Sequence, residues 1–212
     1  HPPNTTRRQR QMCIRDSGNN VNQDFSSFKI EDIKRSSDTN SYTFVRESAS
    51  VKESKIISFQ PENYFVEVKH IIRNLSSEII NSSSYSKIER NSLKPPGTEG
   101  AFFGDPANFA YLGPVFSTES DNYQKVNLGE LEENDFKENS IKGWTAFLEH
   151  YFLTAIIPDQ ENINVFVGKK NKTNEKFSVG VVGRPIKIQP FEETSFSYSC
   201  LLYTSPSPRD NL

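Results

Sequence analysis

Two histidines, His70 and His150, each with a carboxylate close by in the sequence, Glu67 and Glu149, are the side chains here that could run acid–base chemistry on a sugar. Their spacing argues against it. Glu149 and His150 are adjacent, whereas on a helix only residues three or four apart face one another. His70 shares an alternating run with Tyr64, Val66, Val68 and Ile72, where a hydrogen-bonded core histidine is the ordinary outcome. Separated histidines among scattered carboxylates show no metal-ligand spacing. Gly97, Gly100, Gly104 and Gly113 open no helix followed by lysine, so they make no phosphate loop. Glu130, Glu132, Glu133 and Asp135 read as a solvated acidic turn, without the ligand rhythm of a calcium loop. The sequons at Asn74, Asn81 and Asn171 are what serine-rich loops generate freely. No catalytic, cofactor-binding or metal-binding residue is assigned on these patterns, and the protein is expected not to be an enzyme.

The two ends differ in kind from the middle. Arg7 to Ser17 reads RRQRQMCIRDS and Cys200 to Asp210 reads CLLYTSPSPRD, and both resemble translated adapters of transposase-based sequencing libraries, with the same transposon end read from opposite sides. Residues 1–17 and 199–212 are therefore expected to be non-native tails, to be set aside from fold reasoning as fusion scars are. Their removal takes away both cysteines, Cys13 and Cys200, and the one methionine, Met12. What remains has no thiol for a disulfide, a nucleophile or a zinc site. Residues 18–198 keep 20 Lys and Arg against 25 Asp and Glu, a mildly acidic balance that argues against a nucleic-acid partner.

Nothing near His1 has the basic and apolar regions of a signal peptide, and no run approaches the roughly 18 apolar residues of a membrane span. The chain reads as an internal fragment, open at both ends and truncated on the N-terminal side of its domain. Hydrophobic content of 34%, with 12% aromatic, suits a β-rich fold with many polar turns.

The elements that would position any site follow from the period of the pattern. Residues 18–40 are rich in Ser, Asn and Asp and predict a polar linker or loop, and a domain over 41–198 follows it. Tyr42 to Val45 opens the strands. Lys55 to Gln60, a turn at Pro61 to Asn63, and Tyr64 to Arg73 predict a β-hairpin with one apolar face. Ile79 to Arg90 is a polar strand candidate, and Leu93 to Thr98 a proline-bearing loop. Ala101 to Gly104 and Phe109 to Phe116 are apolar runs, and Tyr123 to Leu131 is a further strand before an acidic turn at Glu132 to Asn139. Strands at 164–167, 177–182, 185–189 and 194–198, separated by turn residues, have the spacing of a sandwich or barrel.

Residues 142–158, KGWTAFLEHYFLTAIIP, hold the densest aromatic and aliphatic run. Trp144, Phe147, Leu148, Tyr151 and Phe152 fall at i, i+3, i+4, i+7 and i+8, which predicts one short helix near 143–153, opened at Ser140 or Gly143 and anchored in the core by Trp144. Ile156 and Ile157 then suggest a switch to strand before Pro158.

This run, preceded by Val115 to Thr118 and by Tyr123 to Lys125, resembles the large periplasmic domain of the YidC membrane protein insertases, in which a Gly-Gly-Trp-Xaa-Ala-Met motif leads to Tyr-Phe and a Trp-Ile-Pro ending. Gly143, Trp144, Ala146, Tyr151, Phe152, Ala155, Ile157 and Pro158 fit; Lys142, Phe147 and Ile156 depart. The likeness spans about Thr43 to Tyr198 and is strongest after Val115.

The resemblance implies an antiparallel β-supersandwich of the galactose-mutarotase-like kind with a helix laid against it. It also implies a domain on the periplasmic side of the bacterial inner membrane, an accessory or chaperone-like module that helps membrane proteins insert and fold, alone or with the Sec translocon. The groove of transmembrane helices that does the inserting corresponds to no position between 1 and 212. Partners implied are the auxiliary subunits of the Sec translocon and nascent membrane proteins, reached through the full-length protein, with Gly143, Trp144, Ala146, Tyr151, Phe152, Ile157 and Pro158 as structural motif or partner contact. A stand-alone carbohydrate-binding or carbohydrate-modifying β-sandwich is the alternative.

Overall fold

The computed structural model describes residues 27–61, 63–91, 111–149, 152–171 and 175–204. Four strands, β1 (Lys29–Arg35), β2 (Asn40–Glu47), β3 (Val51–Phe59) and β4 (Phe65–Asn74), run as an antiparallel meander. Then come β5 (Ile80–Ser82), β6 (Tyr85–Asn91), β7 (Gly113–Ser117), β8 (Gln124–Lys125), α1 (Leu128–Glu133), β9 (Phe136–Ser140), β10 (Trp144–Leu148) and β11 (Phe152–Pro158). The order closes with β12 (Asn164–Asn171), β13 (Lys176–Gly183), β14 (Ile186–Ile188) and β15 (Glu193–Thr204).

Nine of these strands make one sheet in the order β1-β2-β3-β4-β15-β11-β10-β7-β8, four make a second, β6-β13-β12-β9, and β14 pairs with β5. Every pairing is antiparallel, so each interior strand can be apolar on one face and polar on the other. The second sheet lies against the C-terminal half of the first. Ile88, Phe166, Phe177, Val179 and Val181 from the small sheet meet Phe116, Phe147, Ile156 and Cys200 from the large one in a single core cluster. A smaller cluster of Val51, Ile72, Ile80 and Ile188, with Phe196 against it, is where the β5–β14 pair covers the N-terminal half. This is the antiparallel, galactose-mutarotase-like β-supersandwich expected from the family resemblance.

The hairpin predicted at 55–73 is β3 and β4, and its apolar side holds Val68, His70 and Ile72 in buried positions. Elsewhere the structure differs from the sequence reading. Residues 29–35, expected within a polar linker, form edge strand β1; every one of its side chains is exposed, Ile30 and Ile33 included, and it is held by backbone pairing to β2. The strand expected over 79–90 is two strands in different sheets, β5 and β6, because the chain turns at Ser84 between them. The strand expected over 123–131 is two residues of β8 followed by α1, whose Leu131 reaches the core, and the acidic turn expected after it is the end of α1 and then β9. β15 runs on to Thr204, past the domain end expected at Tyr198, and buries Cys200. Its pairing in that stretch is made by backbone groups, which any alternating sequence supplies. The loop expected over 93–98 and the run at 101–104 lie outside the described residues.

Tyr111 ties β7 to the segment that follows it. Its hydroxyl lies 2.6 Å from the Pro114 carbonyl oxygen and 2.7 Å from that of Val126. Burial pushes its pKa up to about 12. The raised value means the folded state holds its proton where the unfolded state, titrating near 10, has lost it. Stability should therefore fall as pH rises from about 10 to about 12. Urea unfolding at pH 9 and pH 11 should show a smaller loss in Tyr111→Phe than in the wild type.

Candidate functional site

The motif at 143–158 is a β-hairpin, not the expected helix. β10 and β11 pair with Thr145 opposite Ile156, Ala146 opposite Ala155 and Phe147 opposite Thr154, and Glu149 and Phe152 exchange backbone hydrogen bonds across residues 150 and 151. A helix-like period appeared because the ribbon is buried on both faces. Ala146 and Ala155 are buried on one side, Phe147 and Ile156 on the other, and a strand with no polar face loses its period of two.

Most motif residues do structural work. Gly143 has φ +141°, and a Cβ there would lie 2.0 Å from the Ser117 carbonyl oxygen. Gln160 accepts from the Gly143 N–H at 2.9 Å and donates to the carbonyl oxygens of Gly143 and Pro158, at 3.0 and 2.7 Å, clamping the open end of the hairpin. Pro158, at the last position of β11, pairs with Tyr198 of β15 and lies past the β10 ladder. The single tryptophan, Trp144, expected as a core anchor, is half-buried on the face away from the second sheet, its ring 6.3 Å from that of exposed Tyr123. Phe152 is 51% exposed at the closed end. Ile157 is half-buried, and Tyr151 lies outside the described residues.

The acid–base candidates separate. Glu67 is exposed on the face opposite His70; Glu149 lies 3.8 Å from Arg90; His150 is outside the described residues. The carboxylate that meets His70 is Glu53, with His70 Nε2 3.4 Å from Glu53 Oε2. Arg46 donates to the same oxygen from Nε at 2.8 Å and from Nη2 at 2.6 Å. Glu53 is completely buried, and Lys55 lies beside it with its ammonium 4.9 Å from the Phe28 ring. The direct pairing of Lys55 with His70 and of Arg46 with Glu53 sets all four on one face. Glu53 was missed in the sequence reading, although Val51, Glu53 and Lys55 alternate in phase with His70 once the hairpin is drawn. The cluster has an acid and a base but no solvent path to the Glu53 carboxylate, so it is built to hold β2, β3 and β4 together.

A groove of about 950 Å³ lies where the sheets diverge, lined in part by Val68, Phe196 and Tyr198 of the large sheet and Ser86, Val181 and Gly183 of the small one. Among the described residues no histidine borders it. Among the described residues no group of three or more His, Cys, Asp or Glu side chains could hold a metal ion.

A family model described as the YidC periplasmic domain matches residues 10–212. The chain is 31% identical over 162 residues to the membrane protein insertase YidC of Nitrosococcus oceani, covering 76% of this chain and 28% of that protein. It is 28% identical over 188 residues to the protein of the same name from a Marinomonas species, covering 88% of this chain and 32% of the relative. The chain thus spans about a third or less of the length of these relatives. Among solved structures, an α-galactosidase from Geobacillus stearothermophilus aligns with TM-score 0.62 at 6% identity, over 90% of this chain and 30% of that one. A galactose mutarotase related enzyme from Lactobacillus acidophilus aligns with TM-score 0.56 at 9% identity, over 86% and 73%. Likeness at such identity shows the shared fold alone.

Two substitutions test this account of the site. Gly143→Ala forces a Cβ against backbone at a φ that L-residues avoid, and should cost about 1–3 kcal/mol or more in urea unfolding, with a red shift of Trp144 fluorescence. Arg46→Met leaves the Glu53 carboxylate buried with its strongest partner gone and should cost about 3–5 kcal/mol, much of it recovered in Arg46→Met/Glu53→Gln.

Proposed function

The chain belongs to the YidC periplasmic-domain family, and from that membership we propose that it is the accessory domain, facing the periplasm, of a membrane protein insertase in the bacterial inner membrane. The observation that carries the reading is the family match over 10–212, together with relatives of the same name aligned over three-quarters or more of the chain. No helix of the described residues is long and apolar enough to cross a membrane. Among the described residues, the Glu53 carboxylate that meets His70 is completely buried, and no histidine lines the groove. The domain in this reading is non-catalytic, a scaffold and docking module that assists insertion and folding of membrane proteins while other segments of the full-length protein do the inserting.

Partners follow as proposals of the same standing. Auxiliary subunits of the Sec translocon would dock on the face that carries Trp144 and Tyr123, whose rings lie 6.3 Å apart, with the Lys125 ammonium 5.7 Å from the Tyr123 ring. Nascent membrane proteins would be met through the full-length protein. Ala146 and Pro158, being buried, would support that face rather than touch a partner.

The test is a chimera in which residues 27–204 replace the matching segment of the Nitrosococcus oceani insertase, with Ser120→Cys on an exposed turn. Labelling of that thiol in intact spheroplasts by a membrane-impermeant maleimide is the expected result. Labelling only after lysis would overturn the periplasmic placement.

A further inference from the structure

Strand β1 closes one end of the nine-strand order, and among the described residues nothing pairs with its outer side. At the opposite end of that sheet β8 has two residues, too few to present a ladder. β1 has seven, Lys-Ile-Glu-Asp-Ile-Lys-Arg, every one exposed, with Ile30 at 59% and Ile33 at 45%. A row of backbone N–H and C=O groups along such an edge is a template for another strand. The strand lies outside both adapter-like stretches, so its charges are the domain's own.

The order of those charges identifies the strand it fits. Two copies that extend one antiparallel sheet across a two-fold axis keep each sheet face on the same side, and side chains alternate between faces, so the axis must pass through a residue that faces itself. With the axis at any charged residue of β1, that residue meets its own like charge, which destabilises the pairing. Of the two uncharged positions, Ile30 borders the irregularity between Ile30 and Asp32, where the ladder to β2 shifts register. Ile33 lies in the regular part, which runs from Asp32 opposite Thr43 to Arg35 opposite Asn40. With the axis there, Asp32 faces Lys34 of the second copy, Lys34 faces its Asp32, and the two half-exposed isoleucines meet at the centre. Within one chain Lys34 lies 3.6 Å from Asp32, with side chains 79% and 48% exposed, a surface pair weak enough to be exchanged for one across the axis. We infer that the outer edge of β1 is a homodimer interface, on which a second copy of this chain adds its own β1 antiparallel and continues the sheet through Ile33. A slip of two residues moves the axis to Asp32 or Lys34 and sets like charges face to face, so the pattern that permits this register excludes its neighbours. Nothing in this pairing depends on the insertase reading.

The full 212-residue chain, kept reduced so that Cys13 and Cys200 form no disulfide, is followed by sedimentation velocity over a range of concentrations. The wild type should pass from monomer to dimer. Asp32→Lys alone and Lys34→Asp alone each turn two attractive cross-strand pairs into two repulsive ones, and should weaken dimerisation about tenfold or more while melting at the wild-type temperature. The exchange Asp32→Lys/Lys34→Asp restores opposite signs across the axis and should dimerise as the wild type does. Lys142→Asp, a charge reversal at an exposed position away from β1, should leave the dimer intact. A wild type that is monomeric at every concentration overturns the inference. So do single reversals that dimerise normally, or a double exchange that stays monomeric, because the pairing then does not run through these two side chains. Equal weakening in Lys142→Asp would overturn it as well, by tracing association to net charge.

Discussion

The lane occupied by β15 holds the large sheet together. Its register partners are β4 on one side, from Glu193 opposite Arg73 to Leu201 opposite Phe65, and β11 on the other, from Tyr198 opposite Pro158 to Thr204 opposite Phe152. Without it the meander β1–β4 and the group β11-β10-β7-β8 have no backbone connection in the nine-strand order. Its partners on β4 are 120 to 136 residues away in the chain and those on β11 only 40 to 52, so the larger loop-closure cost falls on the β4 side. Cys200 and Tyr198 on this strand then pack into the cluster shared with Phe166 and Val181, which couples sheet closure to sheet-on-sheet packing.

That dependence explains why the adapter-like character of residues 200–204 does not stop the strand. Ladder hydrogen bonds use main-chain groups, and the side-chain demand of the lane is narrow: a small apolar group at 200 and rings or aliphatics at the rim. In Ser-Cys-Leu-Leu-Tyr-Thr the small Cys200 fills the buried position and the residues after it lie at the rim. Interior strands elsewhere are less permissive. At Gly180 a Cβ would lie 2.5 Å from the Ser86 carbonyl oxygen, so β13 and β6 approach as closely as they do because that position has no side chain.

The buried charges show a second kind of constraint. A carboxylate with no solvent exposure is tolerable where Arg46 supplies two donors and His70 lies alongside, yet among the described residues Glu53 Oε1 and His70 Nε2 have no hydrogen-bond partner. Such a network fixes which strands neighbour which more than it adds net stability. The face that carries this network is closed by the Arg46–Glu53 ion pair, whereas exposed aromatic surface lies elsewhere, as where Tyr123 stands beside Trp144.

Alternation in Tyr64 to Arg73, recurrent short strands after residue 164, and the Gly143–Trp144 to Pro158 motif were enough to specify an antiparallel sandwich and its family, because period and turn chemistry are local properties of the chain. The side on which His70 lies was equally legible. The hairpin at 143–158 was not. Residues Trp144 to Phe152 satisfy a helical period and a doubly buried strand alike, and the choice between them was made by Val115 and Phe116 of β7 and by Leu201 and Leu202 of β15, which offer open backbone ladders on both sides. Edge strand β1 was invisible for the opposite reason, since it buries no side chain and exists by pairing alone. The partner of His70 belongs to the same class: it joins residues on different strands, and register between strands is set by the assembled sheet rather than by the sequence of any one of them.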